Sequence, residues 1–158
     1  MLNSLMDITI RQASADDLES MLAWRGHSPA MRDGLTQAFA QILVRSRVIF
    51  LACSGTQLVG TVQMALEHDD PDLIRDAVYL QSLEVHQDFL RYGIASRLNQ
   101  TLIAQAKQEG YARVTLMVEP ENVAALALYA KLGFRVFKAS EYIWDGQVLP
   151  VLCMELEL

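Results

Sequence analysis

Two strand-like runs, AVYLQSLEV at residues 77–85 and ARVTLMV at residues 112–118, are joined by a segment of helical periodicity. Ile94, Leu98, Leu102, Ile103 and Ala106 fall on one face of that segment, which stops at Gly110. A strand, a helix and a second strand in this order predict parallel pairing of the two strands through a right-handed crossover. Ligands of open α/β sheets sit beyond the carboxyl ends of such strands. The turn FLRYGIASRL, residues 89–98, occupies that position, with Gly93 and Ala95 as its small residues.

The flanking segments build a mixed sheet around this unit. Ile8 to Ile10 open a short strand, and SADDLESMLAWRG follows as a helix with Ser14 as N-cap, acidic Asp16 and Asp17 in its first turn, and Gly26 as its stop. Residues 28–46 carry a second helical stripe of Met31, Leu35, Phe39, Ile42 and Leu43. RVIFLACSG and QLVGTVQMAL flank a short turn at Ser54 to Thr56 and predict a hairpin. EHDDPDLIRD is an acidic loop with Pro71. ENVAALALYAKLG is a helix with Lys131 near its end and Gly133 at C′. FRVFKASEYIW and QVLPVLCMEL meet at Asp145-Gly146, a strong hairpin signal. The order is β α α β β β α β α β β, an α/β (α+β) mixed sheet, and no repeat or linker divides residues 1–158, which predicts one domain.

The fourth strand breaks its own alternation. Val78 and Leu80 share one face, whereas Leu83 and Val85 share the other. One extra residue near Gln81 or Ser82, a β-bulge, reconciles the two pairs. A strand buried on both faces reconciles them equally well.

Composition narrows the function classes. A net charge of −6 excludes a basic footprint for nucleic acid over the whole chain. The acidic run Glu67, Asp69, Asp70, Asp72 and Asp76 either attracts a cationic amine, such as a polyamine, an amino-sugar or a basic amino acid, or is a solvated loop. Cys53 and Cys153 lie in apolar runs far apart and read as buried reduced thiols, which suits a cytoplasmic protein. The start, MLNSLMDITI, has no basic n-region, so no signal peptide is expected, and no apolar run reaches membrane-spanning length.

The runs SLEVHQDFLRYGIASRLN and VEPENVAALALYAKLGF resemble the GNAT superfamily of acetyl-CoA-dependent N-acetyltransferases. The family's turn signature is Arg/Gln-x-x-Gly-x-Gly/Ala. Leu90-Arg91-Tyr92-Gly93-Ile94-Ala95 matches it at Gly93 and Ala95, departs from it at Leu90, and has Arg91 where a glycine is common. Its second signature is matched without a gap by Asn122, Ala125, Leu128-Tyr129 and Gly133-Phe134. The element order of the fold fits nearly the whole chain.

The resemblance implies acetyl-CoA as co-substrate and no metal. It implies that Leu90, Arg91, Tyr92, Gly93, Ile94, Ala95 and Ser96 form the pyrophosphate turn, where free amides and the positive end of a helix suit an anion. It further implies that the bulged strand's amides at Leu83 and Val85 hold the pantetheine arm and the thioester carbonyl. Asn122 would bond the coenzyme arm, although an asparagine there is also a good N-cap. Tyr129 would serve the departing thiolate as acid or hydrogen-bond donor; its helix alone reads as a half-buried anchor beside Leu126, Leu128 and Leu132.

The family has no fixed base. Glu84 faces the acceptor side if the bulge is present and is the candidate, with Tyr79, Gln81 and His86 nearby; His86 lies past the strand end, where exposure is expected. The first two helices, with Trp24, Arg25, His27, Met31 and Phe39, would shape the acceptor pocket. The expected activity is direct acetyl transfer to a primary amine of a small molecule, with no nucleic-acid or membrane partner. Two readings stand beside it: an acetyltransferase acting on a protein N-terminus or lysine, and a non-catalytic acyl-CoA-binding module. The C-terminal strands allow a homodimer without requiring one.

Overall fold

The computed structural model describes residues 7–158, so the first residues of MLNSLMDITI, which bear on a signal peptide, lie outside the described residues. The elements follow the expected order: β1 (Ile8–Gln12), α1 (Leu18–Arg25), α2 (Pro29–Leu43), β2 (Arg47–Ser54), β3 (Gln57–Ala65), β4 (Ala77–Val85), α3 (Ile94–Gln108), β5 (Arg113–Val118), α4 (Val123–Lys131), β6 (Arg135–Trp144) and β7 (Gln147–Glu157). Strand order is β1-β2-β3-β4-β5-β7-β6, and β4 pairs with β5 in parallel, as the crossover requires. By packing, the chain forms two compact units. One comprises the chain up to Ala65 with Ser82–Leu102, the other Leu66–Gln81 with Ile103–Leu158.

In the first unit, α1 starts through a 3-10 turn, Ala15–Asp17. Ser14 and Asp17 close a capping box there, satisfying amides that a helix start leaves unpaired. Arg11 binds Asp17 through both carboxylate oxygens at 2.8 and 2.9 Å and holds that carboxyl below its usual range. Ser28 caps α2, with Pro29 in its first turn. The helices bury Met21, Ala38 and Phe39 against Ile49, Leu51 and Cys53 of β2, with Leu18, Trp24, Leu35 and Ile42 packed around them.

Leu43 departs from its expected stripe and is 71% exposed. It sits on the last turn of α2, roughly 80° around the axis from Leu35. The other face of β2 is buried too: Phe50 and Ala52 are covered, and a side chain at Gly60 of β3 would lie 2.9 Å from Ile94 and 3.0 Å from Leu98. Glycine at position 60 therefore lets the start of α3 lie close on the sheet.

In the second unit, Val114 and Leu116 of β5 and Val151, Cys153 and Met154 of β7 are buried, as are Tyr129 and Phe134. The hydroxyl of buried Thr115 donates to the carbonyl of Leu73, tying down the 3-10 turn Pro71–Leu73. β6 and β7 join through Asp145 and Gly146, both at positive φ (49° and 75°), the two-residue turn that Asp-Gly favours.

Both readings of the broken alternation hold, each for one half of β4. Ala77, Val78, Tyr79 and Leu80 are all buried, as in a strand covered on two faces. Ser82 then takes a left-handed φ of 56°, which is the bulge, and Leu83, Glu84 and Val85 are half-buried beyond it. No helix among the described residues is long and apolar enough to cross a membrane.

Candidate functional site

The turn and the end of β4 belong to the first unit. A 3-10 turn, Gln87–Phe89, leads out of the strand, and Leu90, Arg91, Tyr92 and Gly93 are exposed before α3 begins. Arg91 and Gly93 both sit at φ 72°. Glycine adopts that conformation freely, whereas an arginine there carries a strain of roughly 1–2 kcal/mol. The family's preference for glycine at the Arg91 position thus has a backbone cause, and here an arginine accepts the same conformation.

The first bond into α3 runs from the Arg97 amide to the Gly93 carbonyl at 3.0 Å. The amides of Ile94, Ala95 and Ser96 have no acceptor among the described residues. They are the open donors of a long helix, preceded by Gly93, where even an added Cβ would meet nothing within 4 Å, and they fit the diphosphate of a coenzyme. Ile94 contributes only its amide, because its side chain is buried against the Gly60 position.

The two arginines of the stretch divide in role. Arg97 donates to the carbonyl of Ile8 at 3.0 Å and anchors β1. Arg91 makes no hydrogen bond or ion pair among the described residues, so its guanidinium is available to an anion.

Glu84, the candidate base, is not free. Arg25 at the end of α1 contacts its Oε1 at 3.0 Å through Nη2. His86 differs from its expected exposure: it stacks on Trp24 with centroids 6.4 Å apart and meets Phe89 edge-on at 5.8 Å. Its Nδ1 accepts from the Asp88 amide at 3.1 Å, which leaves Nε2 to carry the proton of the neutral ring. Phe39 is a core residue at 3% exposure, packed in the cluster beneath α1 and α2, and cannot shape an acceptor pocket from there. His27 is exposed, and Met31 is half-buried.

Tyr129 and Asn122 belong to the second unit. Asn122 is the N-cap of α4, its Oδ1 accepting from the Ala125 amide at 3.1 Å; its side-chain amide nitrogen has no acceptor among the described residues. The other end of α4 closes in a Schellman motif. The Phe134 amide reaches the Tyr129 carbonyl at 2.9 Å and the Gly133 amide reaches Ala130 at 3.0 Å. Gly133 has φ 101°, which explains the glycine.

The same motif brings the Phe134 ring edge-on to the Tyr129 ring at 5.5 Å. The second signature is therefore a helix with both ends capped around one tyrosine. Tyr129 is buried to 6% exposure, and desolvation pushes its phenol up to about 12.

In the acidic loop, two charges are already answered. Lys138 of β6 binds Asp70 at 2.7 Å and Asp72 at 3.0 Å, and its ammonium holds the Asp70 carboxyl below its usual range. That leaves Glu67, Asp69 and Asp76 exposed and gives little support to a loop that steers cations. Both cysteines are free and buried, and burial pushes the Cys153 thiol up. No group of metal-binding side chains occurs among the described residues.

Arg25 as the partner of Glu84, Lys138 as the partner of Asp70, and Asn99, fully buried with neither amide atom bonded among the described residues, are features the sequence reading did not find. The first two pairs join residues too far apart in the chain for spacing to reveal. Asn99 alone carried a local signal, lying three and seven residues before the buried Leu102 and Ala106.

Similarity to known proteins agrees with this reading. The chain is 35% identical over 91 residues to human N-acetyltransferase 8, covering 58% of this chain and 40% of the human protein, so it spans less than half of that relative. A Staphylococcus aureus N-acetyltransferase superposes with a TM-score of 0.77 at 22% identity, covering 96% of this chain and 98% of that one. The Salmonella typhimurium protein yncA superposes with a TM-score of 0.72 at 22% identity, covering 96% and 94%. The family model described as "Acetyltransferase (GNAT) family" matches residues 10–134, the stretch that holds both the open amides after Gly93 and the doubly capped Tyr129 helix, and the chain belongs to that family of acyltransferases.

Proposed function

We propose that this chain moves an acetyl group from acetyl-CoA directly onto a primary amine of a small molecule. The observation that carries the coenzyme half is the row of unpartnered amides at Ile94, Ala95 and Ser96. They supply main-chain donors to the diphosphate, and Arg91 adds a cation beside them. The yncA structure was solved with its cofactor acetyl-CoA, which supports the same ligand for this fold.

Acetyl-CoA supplies a thioester whose C–S bond breaks as the amine nitrogen forms the new C–N bond. Of the protons leaving the ammonium, one ends on the thiol and the other in solvent. On this reading the amides of Leu83 and Val85, beyond the bulge, donate to the thioester oxygen, where a donor is worth about a hundredfold in rate. Glu84 takes up the amine's proton.

Tyr129 stays protonated at every pH of use, as a donor must. Handing its proton fully to a thiolate of ordinary pKa would cost about 5 kcal/mol, so it acts as a hydrogen-bond donor that steadies the thiolate until solvent protonates it. Direct transfer is favoured because Cys53 and Cys153 are buried and offer no accessible thiolate for a covalent acyl-enzyme. The same buried free thiols suit a reducing compartment such as the cytoplasm.

Acetyl-CoA is expected to raise the melting temperature, whereas NAD and ATP are not, and thiol release should follow on a subset of small amines. Tyr129→Phe should slow that release by about tenfold or more while leaving the acetyl-CoA shift in place. Absence of a shift with any acyl-CoA overturns the reading. A Tyr129→Phe enzyme as fast as wild type removes the tyrosine from the mechanism.

A further inference from the structure

The contact between Arg25 and Glu84 is incomplete on both sides. One guanidinium nitrogen, Nη2, meets one carboxylate oxygen, Oε1, at 3.0 Å. Arginine has five N–H donors in a planar fork, and the rest of this fork meets no acceptor among the described residues. Glu84 Oε2 likewise has no donor there. The two side chains are 27% and 43% exposed, so a ligand can reach both, and an ion pair so exposed is opened at little cost.

The surroundings fix the pair in place. The left-handed Ser82 aims the strand end that carries Glu84, and Arg25 lies 5.8 Å from the centroid of the Trp24 ring. Trp24 is in turn stacked on His86, which caps the next turn. A cationic fork and an anionic acceptor are thus held side by side at the end of β4.

The geometry points to Arg25 as a specificity-determining residue for an acceptor that carries a carboxylate next to its amine, an α-amino acid with a free carboxyl group. This assignment rests on the acetyl-transfer reading. Arg25 takes the carboxylate through two parallel N–H donors, the arrangement the guanidinium fork is shaped for, and Glu84 takes the ammonium. A polyamine would find one favourable and one repelling charge there. A peptide N-terminus has no free carboxylate beside its amine.

Matched trios test this: alanine, leucine and phenylalanine, each with its amide and its decarboxylated amine. Each is measured for thiol release with acetyl-CoA and, by calorimetry, for binding to the protein saturated with coenzyme A. The amino acid is expected to exceed its amide and amine by about tenfold to a hundredfold in both measurements. Arg25→Gln should bring the three within about twofold, and Arg25→Lys should restore part of the preference.

The inference is overturned if wild type treats the three alike, if no member binds, or if Arg25→Gln weakens all three by the same factor, as a mere helix-to-strand clamp would. Arg25-dependent binding of the amino acid without any thiol release would overturn the acetyl-transfer reading and leave the recognition pair standing.

Discussion

Tyr129 shows how one buried phenol couples chemistry to stability. Burial raises its pKa from the ordinary 10.0 to about 12 because the phenolate would lose its hydration among Phe134 and the end of α4. The folded state therefore holds this proton more tightly than the unfolded chain does. The stabilisation is complete below pH 10 and is lost as the pH rises through about 12, to a total of about 3 kcal/mol. Urea unfolding of wild type and Tyr129→Phe should show a constant difference in stability below pH 10, and wild type should then lose stability relative to the variant as the pH rises through about 12. A difference that stays constant through that window would show that the phenol is not desolvated as described. Arg91 makes the opposite kind of residue-level argument. Its cost is backbone strain at φ 72°, and what it offers in return is a charge with no partner among the described residues.

At the scale of elements, the acidic loop is held by a residue from β6 rather than left to solvent. Lys138 binds both Asp70 and Asp72, Asp70 caps the turn Pro71–Leu73, and that turn is tied to β5 through Thr115. Because Asp70 titrates below its ordinary 3.8, the pair's contribution is present above that pH and is lost as pH falls beneath it. Lys138→Met should cost about 1 kcal/mol at neutral pH, and the gap to wild type should close below about pH 4. A gap that persists in acid would mean the loss is one of packing.

Such pairs mark the limit of what the residues disclose on their own. Order, caps and hairpins were legible because each is encoded within a few residues: Ser14 with Asp17, Asp145 with Gly146, and Gly133 after Lys131. The bulge was legible only as a conflict of parity, since a period of two cannot separate an inserted residue from burial on both faces. The partial burial of His86 is hidden in the sequence because its partner Trp24 comes from another element. Arg25 is legible as a residue of the first two helices, yet its pairing with Glu84 depends on how α1 lies beside β4.

For the whole molecule, the question is whether the two compact units behave as one. β4 and α3 each begin in one unit and end in the other, so neither unit can unfold alone without breaking an element that the other also uses. A strand or helix cut in this way loses hydrogen bonds and burial together, which favours a single cooperative transition. The molecule carries a reporter in each unit. Cys53 lies on β2 in the first and Cys153 on β7 in the second, both buried and free. A thiol reagent should leave both unmodified in the native protein. Variants keeping one thiol each, Cys153→Ala and Cys53→Ala, should then expose it to the reagent along denaturant curves that match the loss of helical signal measured on the same variant, with closely similar m-values. A curve for Cys53 displaced from its variant's helical transition would show the first unit opening by itself, and the same displacement for Cys153 would assign that independence to the second.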